Sequence, residues 1–509
     1  MKNRSWLAVS VTVPIMGALL GCSSEVATAG NTITEEAPPD ETGNVEPAEP
    51  VKPVSLVATD LAITEIALFQ GVKLSLMKDG AAAKNAYASP VAGRPGLLRV
   101  YVKPGKGYHE RALTAELTLH SSGGTDAVRL TKMNVNQAST EGAINTTMNF
   151  TIAAEDIAQG ASFKVRILNP PDMIPADGTR AQYPQDDSAA SFNALSSGKL
   201  RVKLVPVRYD TDGSARLPDT SAAQVERYRT AFLEQYPVTD VEVTVRDAIA
   251  WTSGITANGS GFDNILEEMV SVRAQDRPSS DVYYMGIFAP ATSFQKYCGS
   301  SCITGLSGLI SNPSDSQGRA SVGIGFTGSD AAGTCVHEVG HAHGRELSPC
   351  NVSGSRSFPY TDGSVGSWGY GILSKQLYSP SSYSDFMGYC HPTWVSDYTY
   401  GALLTRVRAV SPLTKSIELP GGEYRFVHIN AEGHLRWGRT LTLPAAPTNT
   451  PTTVRAVEAN GTNRNVTGYY YPYAESDGGY MLVRNAEVSG KRLEIDLRGT
   501  TRTLAAALR

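Results

Sequence analysis

The chain has 509 residues, which is enough for roughly three domains of ordinary size. Hydrophobic residues make up 41% of the chain and charged residues 18%, so the sequence is too apolar for an intrinsically disordered protein. The net charge is −4 and there is no broad basic segment, which argues against a nucleic-acid partner.

The first 22 residues have the layout of an export signal. Lys2 and Arg4 precede an uncharged, mostly apolar stretch that ends in Leu-Leu-Gly-Cys. This ending resembles a bacterial lipobox, which implies cleavage before Cys22 and lipidation of its thiol; an ordinary secretory signal is the alternative. Residues 23–55, rich in Glu, Pro, Ala, Ser and Thr, are predicted to form a solvated tether. We therefore expect an exported protein that is either attached through its lipid to the bacterial cell envelope, with the outer membrane as the favoured location, or extracellular.

Three patterns of secondary structure follow in chain order. Residues 56–199 carry strand-like segments separated by turn residues, and are predicted to be an N-terminal β-sandwich. Residues 200–410 alternate strand and helix patterns, which favours a mixed α/β domain. Residues 411–509 return to strands and are predicted to be a second, small β-sandwich. The expected fold class is α+β multidomain, with a mixed α/β domain flanked by two β-sandwiches.

The cysteines are spaced as expected for an oxidising compartment. Cys298 and Cys302 are near enough in sequence to close a small loop, and Cys350 and Cys390 could join the two motifs described below. Cys335 is left over and is expected to be a buried free thiol. No paired CxxC spacing indicates zinc ligation by these residues.

Residues 334–344, TCVHEVGHAHG, carry the main chemical signal. On an α-helix, His337 and His341 lie about 40° apart around the axis and about 6 Å apart along it, so both imidazoles can bind one Zn²⁺. Glu338 lies about 100° further round, where it can act on a water molecule as a general base. Gly344 ends the helix, because glycine accepts the left-handed conformation. The alternative is two surface histidines on an ordinary helix.

The stretch HEVGHAHG resembles the HExxHxxG motif of the metzincin zinc metalloproteases. Residues 383–390, YSDFMGYC, resemble the Met-turn of that family, in which a methionine, here Met387, lies beneath the metal. The resemblance covers roughly residues 200–405. It implies a metzincin-like catalytic domain of a secreted bacterial protease, with a role for Tyr389 in stabilising the oxyanion.

The sequence departs from the family pattern at the third metal ligand. The metzincin motif continues to a His or Asp at the position of Leu347, which cannot bind zinc. Catalytic zinc usually has three protein ligands, so a substitute is needed. A glutamate on a later helix, as in the gluzincins, is less attractive because no ExxxD-like helix follows. The candidates, apart from no third ligand at all, are Glu346, His343, Asp362, Asp385 and His391.

The sequence therefore predicts a zinc-dependent endopeptidase that hydrolyses peptide bonds of extracellular proteins or glycoproteins. Glu338 would act as the general base, and a strand before the helix would receive the substrate as an added strand. The alternative is a catalytically degenerate pseudoprotease, a surface lipoprotein that binds proteins or glycans. Leu347 favours the alternative, whereas retention of both histidines and Glu338 favours the enzyme.

Overall fold

The computed structural model describes residues 55–121, 124, 126–171, 173–410 and 419–506. The predicted signal, the lipidation site at Cys22 and all but the last residue of the predicted tether lie outside the described residues. Within these ranges no helix has both the length and the apolar character needed to cross a membrane.

Two antiparallel sheets form the N-terminal part of the described chain. One has the order β2-β1-β4-β7, with β3 added to β2, and the other has the order β10-β8-β5-β6, with β9 added to β8. Alternating residues of both sheets, such as Leu98 and Leu117, fill one core between them. The strands are β1 (Leu61–Phe69), β2 (Gly71–Lys78), β3 (Ala81–Ala82), β4 (Gly96–Pro104), β5 (Arg111–His120), β6 (Asp126–Val135), β7 (Met148–Ile152), β8 (Ser162–Leu168), β9 (Gln182–Tyr183) and β10 (Ala190–Ser191).

The middle of the chain folds as a mixed α/β layer. The elements are β11 (Lys199–Tyr209), α1 (Ala222–Gln235), β12 (Asp240–Val245), β13 (Ile249–Trp251), α2 (Phe262–Asp276), β14 (Val282–Phe288), α3 (Phe294–Cys298), β15 (Gly305–Ser307), β16 (Ala320–Ile324), α4 (Ser329–Ala342), β17 (Gly369–Tyr370), β18 (Leu377–Tyr378), β19 (Ser384–Asp385), β20 (Thr393–Trp394) and α5 (Asp397–Val410). The main sheet has the order β12-β11-β14-β16-β15, with β13 on β11, and β15 is its antiparallel edge strand. Strands β17 and β18 instead extend the first N-terminal sheet through β2.

The C-terminal strands differ from the predicted second sandwich. Those that the structure describes form one seven-stranded antiparallel sheet, in the order β22-β21-β25-β24-β23-β26-β27. The sheet curls so that its two ends approach, and the indole Nε1 of Trp437 on β22 donates to the carbonyl of Ala505, just after β27, at 2.7 Å. Curling lets a single sheet enclose its own core, which contains Val427, Val454 and Ile495. The elements are β21 (Pro420–Ile429), β22 (Leu435–Ala445), β23 (Thr450–Val457), β24 (Asn463–Pro472), β25 (Gly479–Arg484), α6 (Asn485–Val488), β26 (Arg492–Leu497) and β27 (Thr500–Leu504).

Buried cores cross both of the predicted domain borders. Leu74 on β2 shares a core with Leu204 on β11, and Phe426 on β21 shares another with Met269 on α2. All described residues accordingly belong to one compact unit. The C-terminal sheet packs on α2, and the loop between β24 and β25 approaches the edge strand β15, where Tyr473 forms an antiparallel bridge with Gly308.

Candidate metal centre

Helix α4 brings the two motif histidines together on one face. It runs from Ser329 to Ala342, and the Nε2 atoms of His337 and His341 lie 3.0 Å apart. Gly344 then ends the helical path with a φ of +80°. A Cβ at this position would lie 2.6 Å from the carbonyl oxygen of Ile310, so both the backbone conformation and the close approach require glycine.

The hydrogen bonds of the two imidazoles fix which nitrogen carries the proton. Nδ1 of His337 donates to the carbonyl of Phe386 at 2.8 Å, and Nδ1 of His341 donates to the carbonyl of Arg345 at 2.5 Å. A carbonyl oxygen can only accept, so each neutral ring carries its proton on Nδ1 and directs an Nε2 lone pair towards the other. Burial and the neighbouring His341 lower the pKa of His337 to about 4, which keeps this ring in the neutral, metal-binding form at pH 7.

A third side chain meets the histidines from the C-terminal sheet. Glu475 lies in the loop between β24 and β25, and its Oε1 atom is 3.1 Å from Nε2 of His341 and 3.8 Å from Nε2 of His337. The three ligand atoms all lie within 4.8 Å of one another, and no other group of three such side chains in the described part of the chain is gathered in this way.

Glu338 adds a second carboxyl group to the same place. Its side chain is buried and lies against Gly305 of β15. The contact is so close that a Cβ on Gly305 would collide with the carboxylate. Burial, and then the adjacent carboxyl group of Glu475, raise the pKa of Glu338 well above the usual carboxyl value. Among the described residues, no hydrogen-bond partner is found for Oε2 of Glu338 or for either oxygen of Glu475.

This donor set fits a divalent cation. Two lone pairs that face each other at 3.0 Å, beside buried carboxyl oxygens without hydrogen-bond donors, are costly unless a positive charge lies between them. Nitrogen and carboxylate ligands are those that Zn²⁺ prefers in catalytic sites. The backbone carbonyls that hold both Nδ1 atoms are the kind of outer partner that orients metal-binding histidines.

The turn that contains Met387 lies directly against α4. Met387 is 1% exposed, and a Cβ on Gly340 would lie 2.5 Å from its sulfur. The Asp385 carboxylate holds this turn, because it accepts from the backbone nitrogens of Met387 and Ser396, both at 2.9 Å. Tyr389 follows the turn, is 42% exposed, and places its ring centre 5.9 Å from that of His337.

Both cysteine pairs considered from the sequence are joined in the structure. Cys298 is bonded to Cys302, and Cys350 is bonded to Cys390. The second disulfide fixes the segment next to Tyr389, whose backbone nitrogen donates to the carbonyl of Cys350 at 3.1 Å. Cys335 lies on α4 as a buried free thiol.

The five substitutes considered for the third ligand lie outside the cluster of ligand atoms. His343 is buried, donates from Nδ1 to the carbonyl of Val339, and stacks on Tyr283 with ring centres 4.1 Å apart. Asp385 is committed to the Met387 turn. Leu347, at the family's third position, is a core residue with 4% exposure. The remaining three candidates are exposed: Glu346, Asp362 and His391.

Glu475 is the residue that sequence reasoning missed. It follows the aromatic run Tyr469–Tyr473, which carries no metal-binding pattern. A single glutamate in a turn has no spacing relative to the helix motif that could mark it. Only the packing of the C-terminal sheet on the α/β layer brings it to α4.

A cavity of about 440 Å³ opens beside Glu475, between α2, β15 and the C-terminal sheet. Apolar side chains that include Phe262, Ile303 and Leu306 form part of its wall, and Asp263 and Arg436 contribute charged groups. Glu475 is the member of the candidate metal centre that lines this cavity, so a substrate side chain held there would lie next to the centre.

No protein-family model matches the chain, and no curated protein sequence matches it. Any function must therefore be inferred from the residues of this site.

Proposed function

We propose that the protein is a zinc-dependent endopeptidase of the metzincin type that hydrolyses peptide bonds of extracellular proteins. The observation that carries this proposal is the pair of Nδ1-protonated imidazoles, whose Nε2 atoms face each other beside buried, unpartnered carboxyl oxygens. The Met387 turn beneath α4 supports the metzincin assignment, because the methionine packs on the ligand helix itself.

His337 and His341 would hold the ion through Nε2. When bound, Zn²⁺ polarises the scissile carbonyl and acidifies a water molecule. The raised pKa of Glu338 would fall beside a bound cation, so that its carboxylate could take a proton from the attacking water and pass it to the leaving amine. Tyr389, half-exposed and next to His337, donates a hydrogen bond from its hydroxyl group to the oxyanion.

Strand β15 is the proposed place of substrate binding. It is the edge of the main sheet and passes directly over Glu338 at Gly305. An extended peptide can add to an edge strand as a further strand. Here Ile303 and Leu309, on either side of β15, already donate to the carbonyls of Ala257 and Pro472, so a substrate would pair with β15 between these two contacts. This favours a peptide substrate over a glycan, since a sugar cannot continue the backbone hydrogen bonds of a sheet.

A non-catalytic binding protein is the second candidate. Two observations favour it: Leu347 replaces the family ligand, and the side chains of His337, His341 and Glu475 are only 12%, 0% and 14% exposed. Export and lipid anchoring remain predictions, and both candidate functions are compatible with them.

The test uses the full chain. Zinc per chain is measured by elemental analysis, and cleavage is assayed on unfolded and on glycosylated proteins. Glu338→Gln should retain zinc and lose cleavage, whereas the matched control Glu346→Gln, an exposed neighbour, should cleave like the wild type. Equal cleavage by Glu338→Gln would refute the mechanism. A wild-type protein that binds zinc but cleaves nothing would favour the binding protein.

A further inference from the structure

We propose that Glu475 is the third protein ligand of the metal. Helix α4 then supplies two ligands, His337 and His341, and a loop of the C-terminal sheet supplies the third. This inference rests on the proposed zinc site, but it does not require that the site cleave peptides. It replaces the family's third position, which Leu347 occupies, with a carboxylate from a different part of the chain.

The distances support ligation. Four ligands at about 2.0–2.1 Å around a tetrahedral zinc ion are separated from one another by about 3.3–3.4 Å. The three separations among Nε2 of His337, Nε2 of His341 and Oε1 of Glu475 are 3.0, 3.1 and 3.8 Å. These separations are close to those between zinc ligands, so the three atoms would together supply three of the four ligands that a tetrahedral zinc ion takes.

A simple ion pair between Glu475 and the histidines explains the arrangement less well. A carboxylate needs a donor, but the Nε2 atoms carry lone pairs, because the protons are engaged on Nδ1 with the carbonyls of Phe386 and Arg345. Moving a proton to either Nε2 would leave an Nδ1 lone pair against a carbonyl oxygen. A second proton on His341 would supply a donor, but that single N–H at Nε2 would be shared between Nε2 of His337 at 3.0 Å and Oε1 of Glu475 at 3.1 Å. A cation among the three atoms satisfies all of them at once.

The loop that carries Glu475 is fixed on both sides. The carbonyl of Pro472 accepts from the backbone nitrogen of Leu309 at 2.8 Å, and Tyr473 bridges Gly308 in an antiparallel manner. The backbone nitrogen of Tyr473 donates to the carbonyl of Gly478 at 3.0 Å, which closes the turn. These contacts present the carboxylate in a defined position, as a metal ligand requires.

The same contacts allow a competing explanation, in which the loop is a plug. The segment from Pro472 to Glu475 runs along the end of the edge strand where a substrate would add, and Glu475 could block the metal until the loop is displaced. The two explanations predict opposite effects of removing the carboxylate: a ligand loses metal and activity, whereas a plug leaves metal binding intact and increases cleavage.

The test measures zinc affinity of the full chain by competition with a chromogenic chelator. Loss of an outer partner of a zinc ligand costs about 10–100-fold in affinity, so loss of a ligand should cost at least about 100-fold. We expect this loss for Glu475→Ala and Glu475→Gln, comparable to that for His337→Ala. Glu475→His, which supplies another zinc ligand, should recover part of the affinity. The matched control is Asp477→Asn, an exposed acid of the same loop, which should bind like the wild type.

Two further measurements keep the outcomes distinct. The visible spectrum of the cobalt-substituted protein should change in Glu475→Gln and remain unchanged in Asp477→Asn. The thermal midpoints of the metal-free variants should be no lower than that of the metal-free wild type, which separates lost ligation from lost folding. Unchanged zinc affinity in Glu475→Gln would overturn the inference, and increased cleavage with it would establish the plug. Weakened zinc binding in a protein that never cleaves would uphold the ligand and reject only the proposed peptidase.

Discussion

Gly305→Ala is a perturbation that displaces the proposed general base without removing any chemical group. A Cβ at this position would lie 2.5 Å from both Cδ and Cγ of Glu338. Carbon atoms in contact are normally about 3.5 Å apart, so the carboxyl group must retreat by about 1 Å. A displacement of this size in a catalytic group costs about 100-fold in rate.

We therefore expect kcat/KM on an unfolded protein substrate to fall about 100-fold in Gly305→Ala, with one zinc ion still bound per chain. The three atoms nearest to the added methyl group all belong to Glu338, so the metal should remain. The matched control is Gly333→Ala on α4, where, apart from its chain neighbours and the backbone of its own helix, no heavy atom of the described structure lies within 4 Å of the added carbon. That substitution should leave cleavage unchanged and slightly stabilise the helix.

The reasoning would be refuted by full activity in Gly305→Ala, since Glu338 would then be either mobile or irrelevant to the chemistry. Loss of zinc in Gly305→Ala together with loss of activity would also count against it, because the effect would then come from the metal. Zinc content and cleavage must therefore be measured on the same preparation.

Three other outcomes are expected. Removing the metal with a chelator should lower the thermal midpoint. An ion that binds only the native state stabilises it by about 2.7 kcal/mol when the free ion concentration is 100 times its Kd. An unchanged midpoint would show that the native state holds no ion. Replacing Cys350 and Cys390 together by serine should lower the free energy of unfolding by about 4 kcal/mol, against about 2 kcal/mol for the same change at Cys298 and Cys302. The first pair closes a much longer loop. Denaturant unfolding makes the comparison, and the reverse order would contradict it. Leu347→His should not raise zinc affinity and should destabilise the fold by about 1–3 kcal/mol, because it places a polar ring in a core position. Leu347→Met is the isosteric control. Tighter zinc binding by Leu347→His would show that the third ligand position of the metzincin motif is still within reach of the metal.

The predictable and the unpredictable parts of the site differ in how far apart their residues lie in the chain. The spacing of His337 and His341 predicts a shared helix face, and α4 has that geometry because a helix relates residues four apart by local hydrogen bonds alone. The Met387 turn is likewise carried by a short run of neighbouring residues. Glu475 belongs to a separate sheet, and its approach to α4 depends on which surfaces of two distant segments pack together.

The same contrast applies to the fold. Alternating apolar residues predict strands in the C-terminal part, and strands are present there. Whether such strands make two facing sheets or one curled sheet depends on the pairing of distant segments, such as the approach of Trp437 to Ala505. The cores shared across the predicted domain borders could not be foreseen for a related reason, since a composition change marks where a pattern ends but not what the next segment packs against.

Ligation by Glu475 makes metal binding and docking of the C-terminal sheet two aspects of one equilibrium. The sheet shares a core with α2 through residues such as Phe426 and Tyr480, and that burial helps to position the loop. Thermodynamic linkage then requires that zinc strengthen docking by the same factor by which docking strengthens zinc binding. Substitutions in this core, far from the histidines, should therefore act on zinc affinity through the position of Glu475. A two-histidine site independent of the sheet would not show such coupling.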